Sequence, residues 1–192
     1  MSRVVVINHL TLDGVMQAPG RREEDTRGGF AHGGWAGPNV DAVTNAAMDA
    51  RMPRSGGLLL GRRSYEDMLG YWNTQDSPLK DILNSAPKYV VSRTLREPLP
   101  WPNSTPLRGD VAEAVAQLKQ QPGKDLNVMG SGELIQTLMR HGLIDEYLLL
   151  IHPLVLGAGR RLFADGSPPA SLRLVESTVS TTGVFIATYQ PT

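Results

Sequence analysis

The segment from residue 126 to residue 163 constrains the fold more than any other part of the chain. It begins with a short apolar run at 126–129, meets Gly130-Ser131-Gly132, and continues at once in a helical pattern. A strand, a glycine turn and a helix in this order leave free backbone N–H groups at the helix start, where they can hold a phosphate. A second apolar run at 146–156 ends in another glycine turn, Gly157-Ala158-Gly159. Because glycine lets the backbone approach a ligand closely, two such turns at strand ends predict a ligand cleft.

Strand-like and helical patterns alternate along most of the chain, whereas its last part contains strand patterns alone. The sequence predicts strands at 3–9, 57–60, 87–92, 126–129, 146–156, 172–178 and 184–190. It predicts helices at 40–52, 62–71, 110–121 and 131–141, the third of them capped by Asp110. This order is typical of an α/β fold with a mixed sheet, parallel in most of its body and antiparallel in a C-terminal hairpin. A single domain over residues 1–192 is expected for this length.

The composition narrows the classes of partner and of site. The chain has 19 basic and 19 acidic residues, so its overall charge argues against nucleic acid or an anionic membrane as a partner. No apolar run approaches the ~20 residues that span a bilayer, and no signal-peptide pattern precedes the first strand, so we expect a cytoplasmic protein. The chain lacks cysteine, and its four histidines have no metal-ligand spacing, so no metal site is predicted.

Two arginine-containing turns are candidates for phosphate binding. Gly61-Arg62-Arg63-Ser64 follows one predicted strand and opens a helix, and Ser92-Arg93-Thr94 ends the next strand. Arginine can bind a phosphate through two hydrogen bonds, and a helix start adds a favourable dipole. The alternative is that these are surface arginines, and that Gly130 and Gly132 make only a tight connection with Glu133 complementing the helix dipole.

Four segments, in this order, resemble the dihydrofolate-reductase-like family. They are LTLDGVM at 10–16, GLLLGRRSYE at 57–66, KYVVSRTL at 88–95, and GSGELIQTL…GLIDEYLLLIHPLVLGAGRRLF at 130–163. Within the family, the chain is most similar to stand-alone proteins related to the reductase domain of the riboflavin-pathway deaminase–reductase, the RibD C-terminal type. The resemblance implies a single-domain, three-layer fold with helices on both faces of the sheet. It also implies an NADPH-dependent reductase acting on a small pteridine- or pyrimidine-like heterocycle, similar to 5-amino-6-(5-phosphoribosylamino)uracil reductase and dihydrofolate reductase.

The same resemblance assigns the turns to parts of the cofactor. The turn at Gly61, Arg62, Arg63 and Ser64 is expected beside the adenosine-side phosphates of NADPH, and Ser92, Arg93 and Thr94 beside the 2′-phosphate that separates NADP from NAD. The pyrophosphate is expected at the turn after the 126–129 strand, which comprises Gly130, Ser131, Gly132, Glu133 and Leu134. The segment around 146–156 is expected to help form a homodimer, because a strand so apolar needs cover on both faces.

Asp13 and Asp41 are the acidic candidates on the substrate side. Hydride addition to C=N or C=O needs a proton, and Asp13 lies where the family places the chain between nicotinamide and substrate. The competing interpretation of Asp13 is an Asp-Gly turn that closes the first strand. Asp41 lies near the position of the carboxylate that holds the pterin in dihydrofolate reductases, and the competing interpretation, which we favour, is a solvated helix face.

The glycine-rich segment at 17–39 is either a lid or a loop anchor. Phe30 and Trp35 offer flat faces that suit a flat heterocycle, and they are predicted to close over the substrate. Their alternative role is simple anchoring of the loop. His9 and His152 lie in predicted strands and are interpreted as core residues.

One position departs from the family pattern. Riboflavin-pathway reductases carry a substrate-binding glutamate two residues before the first glycine of the pyrophosphate turn, where this chain has Val128. The loss of that carboxylate motivates an alternative function, an NADP(H)-binding protein without turnover that serves as a sensor or an interaction module.

Overall fold

Eight strands and five α-helices are distributed along all 192 residues that the computed structural model describes. They are β1 (Val4–Thr11), α1 (Ala42–Asp49), β2 (Ser55–Gly61), α2 (Arg62–Trp72), α3 (Pro78–Ser85), β3 (Lys88–Val91), β4 (Ser104–Leu107), α4 (Val111–Gln120), β5 (Asp125–Met129), α5 (Gly132–Arg140), β6 (Glu146–His152), β7 (Leu172–Val179) and β8 (Phe185–Pro191). Three 3₁₀ turns lie at Arg27–Gly29, Gly37–Asn39 and Met52–Arg54. None of the helices has the length and apolar character of a membrane span.

All eight strands form one sheet in the order β4-β3-β2-β5-β1-β6-β8-β7. The strands β1 to β6 pair in parallel, and β8 pairs antiparallel with both β6 and β7. The central strand β1 opens with Val4, Val5 and Val6, all completely buried. A continuous apolar run of this kind is typical of a parallel strand that is covered on both faces. The predicted mixed sheet with an antiparallel C-terminal hairpin is therefore confirmed.

Helices cover both faces of the sheet. On one face, Val6 and Leu59 pack with Ile135 and Leu138 of α5 and with Val115 of α4. On the other face, Val5 and Ile7 pack against α1, and Leu58 and Leu60 pack against Tyr65 of α2 and Leu83 of α3. The three-layer arrangement predicted from the resemblance is confirmed.

Two elements are clearly shorter than the sequence predicts, and two others were not predicted at all. The strand β6 ends at His152 instead of Leu156, because Pro153 follows and has no N–H for a sheet hydrogen bond. The helix α1 is shorter than the predicted 40–52 and gives way to a 3₁₀ turn that contains Pro53. The elements α3 and β4 had no sequence-based prediction.

The chain itself covers β6. Leu149 belongs to the core beneath α4 and α5, whereas Leu148 and Leu150 belong to the core beneath α1. The argument that this strand needs a partner subunit therefore does not hold, and a homodimer stays a prediction. The strand β7 lies at the edge of the sheet instead, with Leu174, Val175 and Val179 exposed.

Candidate functional site

A cleft of about 1840 Å³ lies at the carboxyl ends of β1, β2, β3 and β5. It exceeds the ~300–1,000 Å³ of an ordinary small-molecule pocket, so it has room for two ligands. All twelve residues predicted to bind cofactor line it: Gly61, Arg62, Arg63, Ser64, Ser92, Arg93, Thr94, Gly130, Ser131, Gly132, Glu133 and Leu134. Sequence positions up to 73 residues apart are thus brought to one surface, as the ends of parallel strands require.

Side-chain hydrogen bonds join the turns after β2 and β5. Ser131 Oγ accepts a hydrogen bond of 2.9 Å from Gly61 N–H, and Asn8 Oδ1 of β1 accepts one of 3.2 Å from Gly130 N–H. Gly130 has a φ of +67°, a conformation that glycine adopts without strain. The two turns are therefore fixed relative to each other and to the centre of the sheet.

Two of the helices that begin at the cleft, α2 and α5, lack the side-chain N-cap that the other helices carry. Asp41, Ser77 and Asp110 cap α1, α3 and α4 through their side chains. In contrast, Gly61 and Ser131 precede α2 and α5 without any side-chain cap. The first N–H groups of a helix have no intrahelical partner, so α2 and α5 offer free donors and positive dipole ends to the cleft. Such donors suit an anion such as phosphate.

Basic side chains add positive charge at the β2 and β3 end of the cleft. Arg62 donates 2.8 Å to Thr94 Oγ1 and 2.9 Å to Glu66, which links the two arginine-containing turns. Arg63 and Arg93 are exposed and form no hydrogen bond or ion pair within the chain. A smaller groove of about 690 Å³ continues from Arg93 and Thr94 and is lined also by Leu95, Arg96, Glu97 and Arg108. This end of the cleft is thus the part best suited to a phosphate.

Asp13 holds two loops together, and its carboxylate does not line the cleft. It accepts hydrogen bonds of 2.6 Å from Thr11 Oγ1, 3.2 Å from Leu156 N–H and 2.8 Å from Gly157 N–H. The bond from Thr11 and those from the backbone of the 156–157 turn lower the pKa of Asp13 to about 2. These contacts favour the alternative role of Asp13 in closing the turn, and its part in supplying or relaying a proton stays a prediction.

Asp41 is likewise occupied away from the cleft. Its Oδ1 caps α1 by accepting from Val43 and Thr44 N–H, and its Oδ2 accepts from Thr181 N–H at 2.8 Å and from Thr181 Oγ1 at 2.7 Å. These hydrogen bonds lower the pKa of Asp41. The carboxylate ties α1 to the β7–β8 hairpin, which corrects its expected placement beside a substrate.

Phe30 and Trp35 also lie outside the cleft lining. Both are at least nine-tenths buried, in a cluster with Val15, Ala18 and Ala36, and Trp35 Nε1 donates 2.7 Å to Gln17 O. Their rings anchor the second half of the 17–39 segment to the core, so the structure corrects the expectation that they close over a substrate. The first half, residues 17–21 and 23–27, does line the cleft.

Two residues interpreted as core histidines form a pair at the inner end of the cleft. His152 is completely buried, whereas His9 lines the cleft, and their Nδ1 and Nε2 atoms lie 2.8 Å apart. The sequence signal was the place of His9 near the carboxyl end of the first predicted strand, where ligands bind in open α/β sheets. Val128 is buried in the core beneath α5, and its neighbour Met129 lines the cleft.

The chain matches the model of a known family over residues 3–186, described as the RibD C-terminal domain. It is 36% identical over 138 residues to YyaP of Bacillus subtilis, described as an uncharacterized protein, with 69% of this chain and 72% of that protein covered. The chain therefore belongs to the RibD C-terminal domain family.

Solved structures agree with this family. A proposed riboflavin biosynthesis protein from Shewanella sp. PV-4 superposes with a TM-score of 0.75 at 25% identity, over 99% of both chains. The Thermotoga maritima deaminase/5-amino-6-(5-phosphoribosylamino)uracil reductase gives 0.64 at 16% identity, over 100% of this chain and 57% of that one. Enterococcus faecalis dihydrofolate reductase, complexed with NADP(H), gives 0.60 at 12% identity, over 98% and 96%. The dihydrofolate-reductase-like fold is confirmed, and the family supports a reductase of the RibD and dihydrofolate reductase type.

Proposed function

We propose that the protein is an NADPH-dependent reductase that transfers hydride to a small pteridine- or pyrimidine-like heterocycle. The observation that carries the proposal is the pair of uncapped helix N-termini, α2 and α5, that open into one cleft beside unpaired arginines. Two anion-binding positions on one wall suit a ligand with separate phosphate groups, as NADPH has. The solved dihydrofolate reductase with the same fold carries NADP(H).

The β3 end of the cleft favours NADPH over NADH. Ser92, Arg93 and Thr94 supply two hydroxyls and an exposed guanidinium, and none of the three is acidic. A 2′-phosphate gains charged hydrogen bonds from such a group, whereas a bare ribose is typically bound by a carboxylate. Arg96 and Arg108 of the adjoining groove add to the positive potential at this end.

The inner part of the cleft suits the reacting rings. Ile7, Met16 and Met129 give apolar surface there, and His9 and Asn8 give a few polar groups. Small-molecule pockets commonly combine apolar walls with a few oriented polar groups. NADPH supplies the hydride when it is bound. The chain's own part is to bind the phosphates at α2 and α5, to hold the acceptor ring against the nicotinamide, and to limit the access of water.

The cofactor assignment is tested by titrating the protein with NADPH and NADH and following cofactor fluorescence. We expect micromolar affinity for NADPH and weaker binding of NADH. Arg93→Ala should remove ~1–3 kcal/mol of that preference, because one charged hydrogen bond to the 2′-phosphate is lost. Arg173→Ala, on the exposed edge strand β7, is the matched control and should keep the preference. Equal binding of the two cofactors by the unchanged protein would contradict the assignment.

The alternative, an NADP(H)-binding protein without turnover, is favoured by one observation. Asp13, the acid expected to supply the proton, is ionised and tied to the 156–157 turn. The two functions separate when NADPH oxidation is followed with dihydrofolate, with riboflavin-pathway pyrimidines, and with simple imines and carbonyls. Cofactor-dependent reduction of any of them rules out the sensor, whereas tight NADPH binding without oxidation across the set supports it.

A further inference from the structure

The two histidines at the inner end of the cleft are placed together by the sheet. Thr11 of β1 is in register with His152 of β6, so His9, two residues earlier on the same face, is a diagonal neighbour of His152. Their ring centroids lie 5.1 Å apart, and His9 Nδ1 is 2.8 Å from His152 Nε2. That distance is a hydrogen bond, in which one nitrogen donates and the other accepts.

The two ring nitrogens outside this hydrogen bond, Nδ1 of His152 and Nε2 of His9, lie in different surroundings. His152 is completely buried with its ring edge against Trp35, and its Nδ1 has no hydrogen-bond partner. His9 lines the cleft, and its Nε2 bonds to no group of the chain. The pair thus has one end sealed in the core and one end available to a ligand.

Burial decides which nitrogens carry hydrogen. If His9 Nδ1 donated, His152 would carry its hydrogen on Nδ1, and an N–H would be buried without an acceptor. If His152 Nε2 donates, only an unused lone pair is buried at Nδ1. Orphaned buried N–H groups are the rarer and costlier defect. His9 then accepts at Nδ1 and carries its own hydrogen on Nε2, on the cleft side.

The pair is uncharged at neutral pH. Burial, and to a smaller extent the neighbouring His152, lower the pKa of His9 to about 4, and burial also lowers the pKa of His152. The His9 ring is itself largely withdrawn from water. A neutral, largely buried donor matches a neutral acceptor better than an anion, since an anion loses more hydration on entering such a site.

We infer that His9 Nε2–H is the hydrogen-bond donor that recognises a neutral ring carbonyl or ring nitrogen of the substrate, with His152 as the positioning residue that fixes the tautomer of His9. The inference rests on the proposed function for the nature of the substrate as a heterocycle. It deepens that proposal by naming the contact and by making the recognised group uncharged.

The first test is the tautomer itself, in the free protein. Long-range ¹H–¹⁵N correlation spectra distinguish a histidine protonated at Nε2 from one protonated at Nδ1. We expect His9 and His152 both to carry hydrogen on Nε2 at pH 7. Hydrogen on Nδ1 of His9, or a cationic His9 at this pH, overturns the inference.

The second test uses lumazine, a fluorescent pteridine with ring carbonyls, as the probe. Glutamine places its amide nitrogen where His9 has Nε2, whereas asparagine places it where His9 has Nδ1 and does not reach the cleft. His9→Gln should keep lumazine affinity, and His9→Asn should lower it about tenfold, the loss of one good hydrogen bond. Equal affinities for the two variants, or no lumazine-dependent shift of the His9 Nε2 resonance, overturn the inference.

The same samples, titrated with NADPH, test the proposed function separately. NADPH binding with His9 protonated at Nδ1 would overturn this inference and leave the cofactor assignment intact. Lumazine contact at His9 without NADPH binding would support this inference and overturn the cofactor assignment. Thermal unfolding of both variants shows whether either one merely fails to fold.

Discussion

Three hydrogen bonds and a more distant ion pair satisfy the carboxylate of Asp13. Thr11, Leu156 and Gly157 donate to it, and Arg161 Nη2 lies 3.7 Å from Oδ2. Thr11 lies at the end of β1, whereas the other partners lie in the loop that follows β6. The residue therefore acts on folding stability.

The first prediction at the residue scale concerns Asp13→Asn. The amide retains one acceptor but no charge, so it cannot replace the carboxylate between Thr11 and the 156–157 turn. We expect a lower Tm at pH 7, with an unchanged dissociation constant for NADPH. Because the pKa of Asp13 falls from 3.8 to about 2, the difference in Tm should be complete above about pH 4 and should shrink as pH falls toward 2.

Asp76→Asn is the matched control, since Asp76 is exposed and has no hydrogen-bond partner within the chain. Asp76→Asn should leave Tm unchanged both at pH 7 and as the pH falls toward 2. If Asp13→Asn weakened NADPH binding while leaving Tm unchanged, the structural role of Asp13 would be excluded.

Local sequence located the glycine and arginine turns but not the partners of the acidic and aromatic side chains. The turns could be located because they depend on local sequence, namely glycines that permit a tight turn and arginines at the start of a helix. Asp41 and Thr181 are 140 residues apart in sequence yet bonded, and the indole of Trp35 is held by the backbone of Gln17. Such contacts depend on the tertiary fold, and the local sequence around each residue does not predict them.

At the scale of elements, the periodic helices and apolar strands were predictable and the marginal ones were not. The helix α3 has only eight residues and is stabilised from outside, since Lys88 Nζ of β3 donates to Leu83 O at 2.5 Å and to Ala86 O at 2.6 Å. The strand β4 has four residues and pairs only with β3 at the edge. Both depend on neighbours brought in by the sheet, and their own sequences carry little signal.

The 17–39 segment is fastened to α2 by Arg21. Its guanidinium lies 2.5 Å from both oxygens of Asp67 and 4.2 Å from the centre of the Tyr71 ring. The contact crosses the rim of the cleft, so it restrains the first half of the segment while Phe30 and Trp35 anchor the second half.

The prediction at this scale is that Arg21→Ala loosens only the first half of the segment. Hydrogen exchange should accelerate within residues 17–27, because the ion pair and the cation–π contact are both lost. The free energy of unfolding should change by no more than ~1 kcal/mol, because the pair is partly exposed. Arg22→Ala, an exposed neighbour without a partner, should leave exchange unchanged. Equal exchange in the two variants would show that Arg21 does not hold the segment.

At the scale of the whole molecule, Glu146 joins distant parts of the chain at the end of the sheet opposite the cleft. It is 3% exposed and accepts hydrogen bonds from Arg3 at 2.8 Å, from Gln190 at 3.0 Å, and from Arg51. These donors belong to the N-terminal segment, to the chain after α1, and to the last strand β8. Burial alone would raise the pKa of Glu146, but the three donors bring it down to about 2.

Acid should therefore unfold the protein partly through this carboxylate. An unperturbed glutamate has a pKa of 4.5, so the contribution of Glu146 is complete above that pH and is lost as pH falls toward about 2. Glu146→Gln should cost about 3 kcal/mol at pH 7, because it leaves two arginines without their carboxylate, and the difference should shrink in acid. Urea unfolding at a series of pH values measures both. Glu176→Gln on the exposed strand β7 is the control, and an equal, pH-independent effect of the two changes would contradict the prediction.

The class of the sheet could be predicted from the sequence, whereas its strand order could not. Alternation followed by consecutive strands indicates parallel pairing and then a hairpin. The insertion of β5 between β2 and β1 is not encoded in the order of elements along the chain and is seen only in the structure. The homodimer stays a prediction, and the exposed edge strand β7 is now the surface to examine for it.

At the uncapped N-termini of α2 and α5, the stability of the fold and the binding of a ligand favour different residues. A serine or aspartate cap at a helix start contributes ~1 kcal/mol to stability, as Asp41, Ser77 and Asp110 do for the other helices. At Gly61 such a side chain would satisfy the donors that a phosphate needs, so a stabilising change would close the site. Selection for a durable fold and selection for ligand binding therefore oppose each other at these turns. In the free protein, no side chain caps the first N–H groups of α2 and α5. A ligand that accepts hydrogen bonds from them therefore stabilises the folded state.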